Sequence, residues 1–120
     1  TNYSVEFYRT LDIPVRKLEC CSGDLADLKS KSIDIEAWSP RPHKYFEVCS
    51  CSNLPDNQAR RIGLSVDGNE VKQVPHTLNY TVVAPPRMLI CFLENNLKAD
   101  GTITIPLALR KYMGDKEFIG

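Results

Sequence analysis

The sequence predicts an α+β fold, an antiparallel β-sheet backed by one buried helix. Three observations carry this. Ile33-Asp34-Ile35-Glu36-Ala37-Trp38 alternates apolar and polar residues, and residues 45–51 follow after a proline-containing break, so the two runs read as a hairpin. Asp67-Gly68-Asn69 between residues 62–66 and 71–74 marks a second hairpin, because glycine tolerates positive φ. Pro85-Pro86 then opens a helix in which residues 88–93 are apolar on every side, which predicts burial all round.

The remaining elements follow in chain order. Tyr3, Phe7 and Leu11 lie at i, i+4 and i+8, as in the last turns of an amphipathic helix over residues 3–11. Asp12-Ile13-Pro14 ends it, since the residue before proline avoids the helical region. Residues 15–21 read as a strand, Ser22-Gly23-Asp24 as a turn, and the polar residues 25–32 as a loop. Pro40 and Pro42 close the strand at 33–38, and residues 55–61 form a loop or short helical turn. A short strand is expected at 77–83. Asn95-Asn96 ends the apolar helix, and Asp100-Gly101 turns the chain into a short strand at 103–105 and a last helical piece at 106–112. The chain opens in mid-helix with no N-cap ahead of Val5, which points to a piece of something larger.

Composition narrows the function classes. The 120 residues amount to one small domain. Fifteen basic residues balance fifteen acidic ones, so the chain lacks the bulk positive field of a general nucleic-acid binder. The apolar run at 88–93 is far short of the ~20 residues that cross a bilayer, so no membrane partner is expected. No charged-then-apolar leader opens the sequence. Cys20, Cys21, Cys49, Cys51 and Cys91 are odd in number and include no Cys-x-x-Cys, so all five read as reduced thiols of a reducing compartment. The sequons Asn2-Tyr3-Ser4 and Asn79-Tyr80-Thr81 carry little weight against that.

Two positions stand out chemically. Arg87 falls in the first turn of the apolar helix, where the dipole disfavours a cation. A guanidinium there makes sense if it shares an anion with the free N–H groups, or if a nearby carboxylate pairs with it. Glu47 sits in an otherwise apolar and small-polar strand, where a carboxylate can hold a hard cation with a serine oxygen as a second ligand, or simply face solvent. Strict alternation puts Glu47 on the Cys49/Cys51 face and Ser50 opposite, so the two meet one ion only if the strand twists sharply or bulges. Gln58-Ala59-Arg60-Arg61 reads as a solvated turn, and His43 and His76 as structural residues.

Read together, three segments resemble the C-terminal part of the catalytic domain of seryl-tRNA synthetases, of the class II type. They are Ser22-Gly23-Asp24-Leu25 with Ile33-Asp34-Ile35-Glu36-Ala37-Trp38; Glu47-Val48-Cys49-Ser50-Cys51-Ser52-Asn53 with Asp56-Asn57-Gln58-Ala59-Arg60-Arg61; and His76-Thr77-Leu78-Asn79 with Ala84-Pro85-Pro86-Arg87 and Leu93-Glu94-Asn95. Asp100-Gly101, Ile105-Pro106 and Leu109-Arg110-Lys111-Tyr112-Met113 extend the likeness to nearly the whole chain. The resemblance implies that residues 1–120 are part of a class II catalytic core containing the third signature motif. The first and second motifs and the tRNA-binding coiled coil would lie elsewhere. It implies a ligase that joins serine to ATP as seryl-adenylate and passes the seryl group to serine tRNA, with ATP and Mg²⁺ as cofactors. A homodimer in the cytoplasm or mitochondrion is also implied. By the same resemblance Glu47 and Ser50 hold magnesium and the ATP phosphates, Val48 and Cys49 lie against the nucleotide, Arg87 grips the γ-phosphate, and Thr81 and Asn79 meet the serine substrate. Val82 is bulkier than the glycine or alanine common there, and Pro85-Pro86 is atypical. The alternative these raise is a catalytically degenerate, synthetase-like binding or regulatory module. The 120-residue chain alone is expected not to make adenylate.

Overall fold

In the computed structural model, which describes residues 1–68 and 72–120, the chain runs α1 (Asn2–Thr10), β1 (Val15–Glu19), β2 (Lys31–Ser39), β3 (Lys44–Asn53), α2 (Asn57–Ile62) and β4 (Val66–Asp67). It continues through β5 (Lys72–Gln73), β6 (Leu78–Thr81), α3 (Pro85–Asn96), β7 (Ile103–Thr104), α4 (Leu107–Arg110) and β8 (Phe118–Ile119). The central sheet is antiparallel, in the order β1-β2-β3-β6. α1 and α3 pack on one of its faces, so the α+β expectation holds. The hairpin read at residues 33–51 is the β2–β3 pair. The second hairpin is present only as the two-residue strands β4 and β5, and Asn69 of its turn lies outside the described residues.

The core lies between α1, α3 and the near face of the sheet. Val5, Tyr8, Leu11 and Ile13 meet Ile35, Ala37, Val48 and Cys49 from β2 and β3, and Cys91 and Phe92 from α3. α1 therefore buries Ser4, Val5 and Tyr8, with Leu11 just beyond its end, rather than the expected Tyr3/Phe7/Leu11 stripe. Tyr3 and Phe7 are exposed, which corrects the expected face by about one residue. Asp12 takes φ 58°, a left-handed turn that short acidic side chains tolerate, and swings the chain into β1.

α3 begins at the two prolines, with Ala84 as its N-cap. Its last turn is tied down by two amides. Asn95 Nδ2 donates to the Trp38 carbonyl at 2.8 Å, and Asn96 Nδ2 donates to the Leu11 carbonyl at 3.4 Å. The helix is not buried all round, however. Cys91 and Phe92 face the sheet, while Leu89, Ile90 and Leu93 face outward and are exposed. Past Gly101, which takes φ 86°, β7 pairs with β8, a strand the sequence pattern did not indicate. No helix of the described residues is long and apolar enough to cross a membrane.

Candidate functional site

Pairing within the sheet decides which side chains share a face. Ile33, Ile35 and Ala37 of β2 stand opposite Cys51, Cys49 and Phe46 of β3, and Ile35, Ala37, Cys49 and Phe46 belong to the core or pack against it. The alternate residues Ser32, Asp34, Glu36 and Trp38 therefore point to the far face. The register shifts between Ile35 and Glu36. Ile35 pairs with Cys49, but Glu36 pairs with Glu47, so Val48 is an extra residue on β3. This is a β-bulge, which bends the strand and resets its alternation.

The bulge is what assembles the site. Downstream of Val48, Ser50 pairs with Asp34 on the far face; upstream, Glu47 pairs with Glu36 on the same face. β6 adds two more groups there, because Thr81 pairs with Ser50 and Asn79 with Ser52. Glu47, Ser50, Asn79 and Thr81 thus share one surface, with Asp34, Glu36, Ser32 and Ser52 beside them. The Ser32 and Ser52 hydroxyls are 3.0 Å apart and close the lower end of that surface.

Arg87 reaches the same place from α3. Its Nη1 donates to Glu47 Oε2 at 2.8 Å and to the Glu47 carbonyl at 3.3 Å. The helix start is held at this distance because the Ala84 N–H donates to the Val48 carbonyl at 2.9 Å. Of the two readings of Arg87, the pairing with a carboxylate is therefore seen directly, and the carboxylate is the other candidate site residue. Val48 and Cys49 are both almost completely buried, with their side chains in the core. They lie beneath the site and present no side chain to its surface.

Nearby groups shape the field. Arg16 of β1 donates to Glu36 at 2.6 Å and lies 4.3 Å from the centre of the Tyr45 ring, so its charge is already engaged. Cys20 Sγ donates to Asp34 Oδ2 at 3.2 Å, and burial together with that carboxylate pushes the Cys20 thiol above its usual range. A cavity of about 430 Å³ opens here, lined by Leu18, Cys20, Ser32, Asp34 and Glu47 among others. A second cavity of about 460 Å³, between α1 and β1, touches none of the candidate residues. Sequence alternation alone missed the roles of Asp34, Glu36 and Arg16. It marked Asp34 and Glu36 as facing away from Ile33 and Ile35, but without the bulge nothing placed Glu47 with them.

The donor set suits a hard cation brought in with phosphates. Mg²⁺ keeps several waters and takes one or two protein oxygens besides those of the substrate. One carboxylate and one hydroxyl meet that demand. Among the described residues no group of three His, Cys, Asp or Glu side chains could hold a metal by itself. A guanidinium at a helix start adds the matching anion-binding group.

Comparison with known proteins identifies the family. The family model for the tRNA synthetase class II core domain (G, H, P, S and T) matches residues 2–96. The serine–tRNA ligase of Methanospirillum hungatei is 45% identical over 117 residues, covering 95% of this chain and 28% of that protein. That of Ehrlichia canis is 45% identical over 118 residues, with the same two coverages. The crystal structure of seryl-tRNA synthetase from Pyrococcus horikoshii complexed with ATP superposes with a TM-score of 0.90 at 41% identity, covering 98% of this chain and 27% of that one. The cytoplasmic serine–tRNA ligase from Naegleria fowleri, in complex with AMP, gives a TM-score of 0.87 at 34% identity. The chain spans about a quarter of the length of these relatives. With residues 2–96 matched by the family model, this chain belongs to the class II tRNA synthetase core-domain family.

Proposed function

We propose that the chain is the part of a serine–tRNA ligase that holds the phosphate end of ATP, with its magnesium, and one side of the serine pocket. The observation that carries this reading is the Val48 bulge, which puts Glu47, Ser50, Thr81 and Asn79 on one face beneath Arg87. The likeness to an ATP-complexed seryl-tRNA synthetase supports the nucleotide. Arg87 would grip the terminal phosphate of ATP. Glu47 and Ser50 would hold Mg²⁺, which when bound neutralises charge on the phosphate oxygens. Thr81 and Asn79 would meet the serine, and a site built to bond a hydroxyl rejects alanine because its polar group is left unpaired. Val48 and Cys49 would support the nucleotide from below by fixing the strand. Charge developing on departing pyrophosphate is stabilised by groups already aimed at it, which is catalysis by electrostatic preorganisation. Serine tRNA and a homodimeric partner would engage mainly other parts of the complete ligase. Five free thiols suit a cytoplasmic or mitochondrial setting.

The second reading, a degenerate binding module, draws on Val82 and the double proline. Val82 is exposed beside Thr81, and Pro85 and Pro86 occupy the start of α3, where proline is tolerated. The retained Glu47, Ser50 and Arg87 favour the ligase. Titration calorimetry with Mg²⁺·ATP tests this. The wild-type chain is expected to bind saturably, and Arg87→Ala is expected to weaken binding by about tenfold or more, the weight of one charged hydrogen bond. Equal uptake by the two chains would remove Arg87 from the site and overturn the reading.

A further inference from the structure

Tyr8 of α1 is completely buried, and its hydroxyl ends at the bulge. It donates to the Val48 carbonyl at 3.1 Å and reaches the Val82 carbonyl at 3.5 Å. Val48 is the unpaired residue of the bulge, so its polar groups fall outside the regular ladder and need other partners. The Val48 carbonyl finds two, the Tyr8 hydroxyl and the Ala84 N–H at 2.9 Å. Ala84 is the N-cap of the helix that carries Arg87, and Val82 follows Thr81. One carbonyl oxygen therefore joins α1, the bulge and the start of α3, and one hydroxyl spans the bulge and the segment after β6.

We propose that Tyr8 is a positioning residue for the nucleotide site, its hydroxyl holding the Val48 bulge so that Glu47 and Ser50 stay on one face and in reach of Arg87. A phenylalanine would fill the same space in the core, so packing alone does not require the oxygen. A buried hydroxyl is costly unless bonded, and this one is spent on the one residue that breaks the strand's regularity. Burial, with the neighbouring Cys49, Cys91 and Tyr80 groups, raises the ionisation of Tyr8 far above its ordinary range, so it remains a donor. Without that donor the bulge loses one of its two anchors. The strand can then relax toward simple alternation, which turns Glu47 away from Ser50. The ligand affected follows from the function proposed above; the effect on the strand does not.

The test compares Tyr8→Phe with Ser4→Ala in the 120-residue chain. Ser4 is also fully buried on α1, but it bonds the Tyr80 hydroxyl and the Cys49 thiol instead of the bulge carbonyl. Amide hydrogen exchange by NMR and calorimetry with Mg²⁺·ATP are the two readouts. Tyr8→Phe is expected to speed exchange at the Ala84 amide and at residues 47–50 by about five- to tenfold, leaving the β1–β2 amides unchanged, the weight of one neutral hydrogen bond. It is expected to weaken Mg²⁺·ATP by a similar factor, and Ser4→Ala to do neither. Unchanged exchange at Ala84 overturns the proposal. So does a uniform rise over the sheet, an unfolded Tyr8→Phe chain, or an equal loss of affinity in Ser4→Ala, since each makes the hydroxyl a plain stability element. If the wild-type chain takes up no Mg²⁺·ATP, the nucleotide reading fails instead, and the exchange pattern alone decides the role of Tyr8.

Discussion

Glu47 and Arg87 satisfy each other directly, and this sets how the site should respond to ligands. Their side chains are 40% and 54% exposed, and an ion pair so open to water contributes only about 0.2–1 kcal/mol to folding. Arg87→Ala should therefore shift stability by less than about 1 kcal/mol in urea denaturation, even where it weakens Mg²⁺·ATP binding as proposed above. A loss well above that would show the pair to be a structural bond. A phosphate that recruits Arg87 leaves the Glu47 carboxylate facing an anion, and a divalent cation offsets that repulsion. Metal and nucleotide should then bind with mutual assistance. The affinity for ATP measured with Mg²⁺ should exceed that in EDTA by about tenfold, roughly one bond's worth of coupling. In Glu47→Gln that ratio should collapse toward the intrinsic effect of magnesium on ATP charge. A ratio that survives the substitution intact would place the metal on other protein atoms.

Among the elements, legibility followed how local each cause is. The β2–β3 hairpin, the start of α3 at Pro85 and its end at Asn95-Asn96 depend on neighbouring residues, and each was readable. The bulge is a count of two residues against one, set by the partner strand and by bonds from Tyr8 and Ala84, which lie 40 and 36 positions away in sequence. Alternation therefore put Glu47 and Ser50 on opposite faces, and left open whether a sharp twist or a bulge would join them. The resemblance supplied the candidate residues, but their meeting on a single face is a tertiary fact. α3 shows the converse. Its apolar run states which side chains seek cover, not where cover exists, and so Cys91 is buried while Leu89 and Ile90 are not. Iodoacetamide mapping at pH 8 should modify exposed Cys21 first and Cys91 among the last, and equal rates would mean that α3 does not pack as described. Burial pushes the Cys91 thiol up to about 11. An unfolded cysteine has the ordinary value of 9.0, so the unfolded chain releases this proton first as pH rises. The contribution is complete below 9.0 and is lost as the pH climbs through about 11. Urea midpoints should fall over that window, and fall less in Cys91→Ala; identical slopes would refute the assignment.

At the scale of the molecule, the radius of gyration is 18.8 Å, against about 14 Å for a compact domain of this length. The long axis of 65 Å is nearly twice the next one of 35 Å. An extended shape leaves apolar side chains outside. Tyr3, Leu107 and Leu78 are 85%, 80% and 75% exposed, and Tyr112, Ile62 and Phe118 add to them. β1 and β6 are also the two edges of the central sheet, each with one side of its backbone outside the ladder. Unpaired edges and apolar surface favour association, so light scattering after size exclusion should give a mass above 13.6 kDa at micromolar concentration. A sharp monomer at those concentrations would show that the exposed residues are tolerated singly. Association is not expected to supply adenylate formation, for which a second cation is needed at the site face. Arg87 is aimed at the site and Arg16 is held by Glu36. Adenylate formation needs cations at the reacting phosphate as well as at the terminal one. Serine-dependent exchange of labelled pyrophosphate into ATP should therefore be absent from the chain alone, whatever its oligomeric state, even where Mg²⁺·ATP binds. Exchange above the serine-free background, abolished in Arg87→Ala, would mean that these 120 residues already hold every charge the reaction requires.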